Sequence, residues 1–79
     1  MAQRVIQCTF TGQLIKEPVM YLACREHDVV LNIRRAKVTE DLGEITVVLE
    51  GSEESIEKVV RDMEGKGVKT QSIAGDSVV

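Results

Sequence analysis

The spacing of apolar residues changes along this 79-residue chain, and the order of the spacings constrains the fold more than any other feature. Between Arg4 and Thr11, apolar and polar residues alternate with the two-residue period of a half-buried strand. A second segment has the i, i+3, i+4, i+7 spacing of one helical face, carried by Ile56, Val59, Val60 and Met63. The chain therefore combines strands with amphipathic helices, and their order decides the fold class.

Turn and capping residues divide the rest of the chain. Pro18 suits the first turn of a helix, where its missing N–H costs nothing, and that helix is predicted to stop near His27–Asp28. Ser52 can cap a second helix, which Gly65 and Gly67 end. The predicted order is β-α-β-β-α-β, with strands at residues 4–11, 29–38, 45–50 and 68–73.

The second strand does not keep a single parity. Leu31 and Ile33 share one face, whereas Ala36 and Val38 have the opposite phase. A β-bulge near Arg34–Arg35 would return all four residues to one core-facing row.

Two interleaved strand–helix–strand units form the α+β, ferredoxin-like arrangement. Its four-stranded antiparallel sheet has the order 4-1-3-2 and both helices on one face, with Thr39–Gly43 as a five-residue hairpin connection. The chain is short enough for a single domain over residues 1–79, with a core at 4–73 and a loose tail at 74–79. The predicted core consists of Ile6, Cys8, Phe10, Leu22, Leu31, Ile33, Ile45, Val47, Leu49, Ile56, Val59, Val60, Met63 and Val68.

The sheet face away from the helices is predicted to be open and mixed in polarity. Its residues are Val5, Gln7, Thr9, Val30, Asn32, Thr46 and Val48. An exposed and partly apolar patch often marks a protein–protein surface, so we expect self-association through this face or a sheet edge.

Composition excludes several classes of function. The net charge is −3 and the third strand has no aromatic residue on which a base could stack, so nucleic-acid binding is not expected. Apolar runs such as Val29-Val30-Leu31 are too short for membrane insertion, and the N-terminus lacks the apolar segment of a signal peptide. Two cysteines make no disulfide framework, which favours a reduced, cytoplasmic location.

Few residues can carry chemistry. Cys24-x-x-His27 places two metal-ligand types on one helical face, but zinc needs three or four ligands and the other soft donor, Cys8, is expected in the core. The same pair lacks an orienting third group for nucleophilic catalysis. We therefore expect no metal site, no cofactor and no enzymatic activity.

The one basic cluster consists of Arg34, Arg35 and Lys37 on the second strand. Charges on an edge strand deter sheet-to-sheet aggregation. The same residues could instead lie beside an anionic ligand or partner, and the sequence leaves both interpretations open.

In several short motifs between Phe10 and Ile73, the chain resembles the NIL domain, a relative of the ACT-type amino-acid-sensing modules. One position departs from the family's Asn-Ile-Leu signature, because Arg34 follows Asn32 and Ile33. The matching motifs are Pro18 at the start of the first helix, the Val-x-Leu-Asn-Ile run of residues 29–33, Gly43 in the hairpin, Leu49-Glu50-Gly51 and Gly67-Val68.

The resemblance implies a regulatory domain. NIL domains lie at the C-terminus of methionine-importer ATPase subunits and bind the amino acid near a dimer interface, while others accompany iron–sulfur domains or stand alone. The resemblance thus implies a homodimer, an amino-acid ligand such as methionine, and a transporter ATPase or an iron–sulfur protein as partner. By position, it implies ligand-binding roles for Gly12, Pro18, Asn32 and Ile33, and a turn at a helix N-terminus suits a carboxylate. An interaction or dimerisation module without a small ligand is the alternative.

Overall fold

A computed structural model describes residues 1–12 and 18–73 of the chain. Two predicted segments lie outside the described residues: the tail, residues 74–79, and the turn residues 13–17 between Gly12 and Pro18. Neither helix of the described part has the length and apolarity needed to cross a membrane. The elements follow the predicted order, as β1 (Ala2–Thr11), α1 (Val19–Glu26), β2 (Val30–Val38), β3 (Leu42–Gly51), α2 (Glu53–Gly65) and β4 (Lys69–Ser72).

The four strands form one antiparallel sheet in the order β2-β3-β1-β4, which is the predicted order read from the other edge. β1 and β3 are central and pair from Ala2 opposite Gly51 to Thr11 opposite Leu42. Side chains from both helices join alternate residues of β1 and β3 in one hydrophobic cluster. The helices therefore cover one face of the sheet, and the α+β, ferredoxin-like fold is confirmed.

The change of parity in β2 arises from a β-bulge at the predicted place. The pairing register with β3 shifts between Ile33 and Arg35, so Arg34 is the extra residue. Beyond the bulge, Ala36 and Val38 return to the face that carries Ile33. The bulge thereby keeps one row of apolar side chains along the helix-covered side of an edge strand.

The connection between β2 and β3 is shorter than predicted. β3 begins at Leu42 rather than Ile45, which leaves Thr39–Asp41 between the strands. The Thr39 N–H donates to the Leu42 carbonyl oxygen at 2.7 Å, and the Leu42 N–H donates to the Thr39 hydroxyl oxygen at 3.2 Å. These bonds extend the strand pairing through residues whose polar composition marks them as a loop.

Both ends of α2 are capped as the sequence predicts. The Ser52 hydroxyl oxygen accepts a hydrogen bond from a backbone N–H of the first turn at 3.1 Å. At the other end Gly67 has a φ of +99°. The N–H groups of Gly67 and Val68 donate to the carbonyl oxygens of Glu64 and Met63, both at 3.0 Å. This is a Schellman motif, and Met63 and Val68 are both buried in the core beside it.

The core lies between the helices and the sheet, and two of its predicted members are wrong. Leu22 and Ile33 have exposed fractions of 45% and 59%. Leu22 lies off the buried face of α1, and Ile33 is exposed because β2 is an edge strand with little helix cover. α1 instead buries Val19, Met20, Ala23 and Cys24. The other predicted core residues are buried or half-buried.

The opposite face of the sheet is less open than predicted. The strand register places all seven expected residues on it, but Val5 and Val48 are buried rather than exposed. This valine pair lies on the two central strands, between cross-strand hydrogen bonds of longer polar side chains, one of which joins Gln3 to Glu50 at 3.1 Å. The longer polar side chains on either side shield the two short valine side chains from water. Val30, on the edge strand, stays 51% exposed.

Candidate functional site

An apolar pocket of about 280 Å³ opens where the N-terminus of α1 meets the helix-covered side of β2 and β3. Three of its lining residues, Phe10, Val19 and Met20, are buried and also belong to the core. Three others, Tyr21, Ile33 and Val38, are more than half exposed and form the rim. Among the described residues, the lining consists of Phe10, Pro18, Val19, Met20, Tyr21, Leu31, Ile33, Val38, Gly43 and Ile45.

Local features of the fold create this pocket. Phe10 pairs across the sheet with Gly43, which has no side chain to fill the space beside the ring. The bulge at Arg34 returns Val38 to the side of the sheet that carries Ile33, so both can line the same pocket. The edge position of β2 leaves the pocket open to solvent on one side.

The chemistry of the lining suits an apolar group. None of the ten described residues of the lining carries a charge, and among them the Tyr21 hydroxyl is the one polar side-chain group. Pro18 precedes α1 without a side-chain hydrogen bond to cap it. The N-terminus of a helix favours an anionic group such as a carboxylate, because its first backbone N–H groups have no partner within the helix.

The structure brings together two of the four residues that the family resemblance implied. Pro18 and Ile33 both line the pocket. Gly12 is exposed at the end of β1 with a φ of +57°. Asn32 pairs with Val48 on the opposite face of the sheet and is exposed there. Ligand binding by these four residues stays a prediction.

Several pocket residues were not identified from the sequence as site residues. Phe10 was assigned to the core alone, and Tyr21 and Val38 were assigned no role. The predicted bulge could have indicated Val38 as a pocket residue, because it places Val38 on the same face of the sheet as Ile33. No local pattern indicates that Phe10 and Tyr21 approach the same space.

The two cysteines are free and buried in the core. Burial raises the pKa of each thiol from 9.0 to about 11, and for Cys8 the charge of a nearby Cys24 thiolate adds to the effect. Thiols with raised pKa values are poor nucleophiles and poor metal ligands near neutral pH. Cys24 lies in the core while His27 bonds to Asp62 of α2, so the two do not share a ligand site within the described residues.

The basic residues of β2 lie away from the pocket. Arg35 pairs with Thr46 and Lys37 with Glu44, which places both cations on the sheet face that the helices do not cover. Both are exposed on an edge strand, where charged side chains disfavour pairing with another sheet.

Among curated proteins, the chain is similar to part of an ATP-binding protein. The chain is 27% identical over 74 residues to the methionine import ATP-binding protein MetN of Bacillus subtilis (strain 168), a match that covers 89% of this chain and 22% of the relative. The chain thus spans about a fifth of the length of that curated relative.

Solved structures with the same fold include natural and designed proteins. The C-terminal domain of an ABC transporter ATP-binding protein from Enterococcus faecalis matches with a TM-score of 0.78 at 19% identity, covering 92% of this chain and 86% of that one. The de novo designed protein Ferredog-Diesel matches with a TM-score of 0.59 at 13% identity, covering 89% and 84% of the two chains. At these identities the likeness shows the fold.

The family follows from a match along nearly the whole chain. Residues 4–72, from β1 to the end of β4, match the family model of the NIL domain. The motifs noted in the sequence, among them Pro18 before α1 and Gly67-Val68 after α2, lie within this range. The chain therefore belongs to the NIL domain family.

Proposed function

We propose that this chain is a non-catalytic regulatory module that binds a small amino acid-like ligand, such as methionine, in the pocket beside α1. The observation that carries the proposal is the pocket of about 280 Å³, whose described lining residues are uncharged, next to the N-terminus of α1. One relative is named as a methionine import ATP-binding protein, and another is the C-terminal domain of an ABC transporter ATP-binding protein. Both support a cytoplasmic role beside a transporter ATPase.

The two ends of such a ligand suit different parts of the pocket. A thioether side chain fits among Phe10, Met20 and Tyr21, because sulfur makes favourable contacts with aromatic rings. The carboxylate of the ligand suits the N-terminus of α1, where backbone N–H groups follow Pro18.

The test is thermal unfolding with a panel of amino acids. A ligand at a hundred times its dissociation constant adds about 2.7 kcal/mol, which raises the Tm of a domain of this size by about 10–20 °C. We expect methionine to raise the Tm and glycine and aspartate to leave it unchanged. Absence of a shift with every amino acid of the panel would refute ligand binding.

A matched pair of variants places the effect in the pocket. Ile33→Lys puts a charge at the rim, and the 59% exposure of Ile33 means that the fold tolerates it. Val30→Lys makes the same change on the same strand, at a residue that is 51% exposed and lies on the opposite face. Only Ile33→Lys should abolish the methionine-dependent shift, and equal shifts in both variants would exclude this pocket.

The alternative is an interaction module that forms a homodimer or binds an ATPase through the pocket rim. It is favoured by the exposure of Tyr21, Ile33 and Val38 around one opening, since clustered exposed apolar residues often mark an interface. Light scattering coupled to size exclusion, over a range of concentrations without ligand, tests the homodimer. A dimer that Ile33→Lys dissociates and Val30→Lys retains supports the rim as the interface, whereas a monomer at every concentration contradicts it.

A further inference from the structure

Three side chains with metal-ligand atoms meet where α1 ends beside α2. Glu26 is the last residue of α1, His27 follows it, and Asp62 lies on α2. One ligand atom from each lies within 4.8 Å of the other two. His27 Nε2 and Asp62 Oδ2 are 2.6 Å apart, across 35 positions of sequence. This group is called the helix-seam cluster below.

We propose that the helix-seam cluster binds a divalent transition-metal ion of the zinc class. One imidazole nitrogen and two carboxylate oxygens provide three ligands, and a water molecule completes a four-coordinate site. The imidazole favours zinc over magnesium and calcium, which prefer oxygen ligands alone and more of them. With neutral imidazole the two carboxylates leave two negative charges in the cluster, and a dication balances both.

The geometry needs only a small adjustment to hold the ion. Ligand atoms bound to one zinc at about 2.0–2.2 Å lie roughly 3.3 Å apart in a tetrahedral arrangement. The distance of 2.6 Å between His27 Nε2 and Asp62 Oδ2 must therefore increase slightly. Any pair of ligand atoms that lies near the upper limit of 4.8 Å must come closer together. Asp62 has a side-chain exposure of 42% and Glu26 is exposed, so both carboxylates can move. His27 is 19% exposed and is the more firmly held ligand.

The site is separate from the proposed ligand pocket. Pocket residues Pro18 to Tyr21 lie at the start of α1, whereas Glu26 and His27 lie at its end. A metal ion here would join the two helices directly and would stabilise the folded state. Its binding does not require that the pocket bind an amino acid.

The experiment is a calorimetric titration of the metal-free, untagged chain at pH 7.5 with zinc chloride, compared with magnesium chloride. We expect one zinc ion per chain and no comparable binding of magnesium. Glu26→Gln, His27→Gln and Asp62→Asn should each weaken zinc binding by about tenfold or more, as disturbance of zinc sites commonly does. Glu53→Gln is the control: it removes a carboxylate from the exposed first turn of α2, the helix that carries Asp62, and should leave the affinity for zinc unchanged.

Circular dichroism of each variant before titration shows whether the variant is folded, so a loss of zinc binding is not confused with a loss of structure. Glu26 is exposed, so Glu26→Gln tests the site even if a change at His27 or Asp62 destabilises the fold. Absence of zinc binding by the wild-type chain overturns the proposal. Equal zinc affinity in the wild type and in Glu26→Gln and Asp62→Asn also overturns it, because the ion would then be held elsewhere.

Discussion

Raising the pH from 8 to 10 should destabilise this domain through its two buried thiols. Cys8 and Cys24 have pKa values of about 11 in the folded chain because of burial, whereas the ordinary value of an exposed thiol is 9.0. A thiol is neutral when protonated, and a raised folded pKa means that the unfolded chain loses its protons first. The contribution of the two neutral, buried thiols to the free energy of unfolding is complete below pH 9. It is lost as the pH rises from 9 towards 11.

The magnitude follows from the two pKa values. At pH 10 an unfolded thiol is about nine-tenths ionised and a folded one about one-tenth, which removes roughly 1–2 kcal/mol per thiol and roughly 3 kcal/mol for both. With a urea slope of about 1–3 kcal/mol per molar, the unfolding midpoint falls by about 1–3 M. This loss is a large share of the stability of a small domain.

The assay is urea unfolding, followed by circular dichroism at pH 8, 9 and 10 with a reductant present. The control is the double variant Cys8→Ala/Cys24→Ala, which is less stable at pH 8 because it leaves small cavities but should show a flatter pH dependence. All other titratable groups are present in both proteins. Parallel loss of stability in the wild type and the double variant would refute the role of the thiols.

The remaining predictions concern the ends of α2. Gly67→Ala should destabilise the domain by about 1–2 kcal/mol, because its φ of +99° strains a residue with a Cβ. Gly65→Ala should stabilise it by up to about 1 kcal/mol, because Gly65 ends the helix with open space around the added methyl. Thermal unfolding checks both, and shifts of the same sign would contradict the Schellman geometry. Ser52→Ala should cost about 0.5–2 kcal/mol in the same assay while Ser52→Asp keeps most of the stability, and equal losses would argue against a side-chain cap.

Much of the fold could be predicted because the signals are local. Capping by Ser52 involves one turn of helix, and the Schellman motif at Gly67 spans six residues, from Met63 to Val68. The bulge at Arg34 was predictable because two pairs of apolar residues in opposite phase cannot face one core without an extra residue. The hairpin was less predictable, since the bond between Thr39 and Leu42 extends the strands through polar residues.

Burial was predicted less well at the edges of the sheet than at its centre. Ile33 has the same strand pattern as Leu31, yet it is exposed because it lies on the edge strand β2, at the rim of the pocket. Val5 and Val48 have the pattern of an open face, yet they are buried because both central strands have neighbours on each side. Alternation assigns a residue to a face and does not say how well that face is covered.

The sequence by itself determined the order of strands and helices, their caps and the bulge, because each depends on residues within a few positions of one another. Tertiary structure decided that Phe10, Tyr21 and Val38 surround one pocket, and that His27 reaches Asp62 across 35 positions. Such contacts depend on how the helices cross the sheet. Helix placement is set by the packing of the whole core, which no short segment of sequence contains.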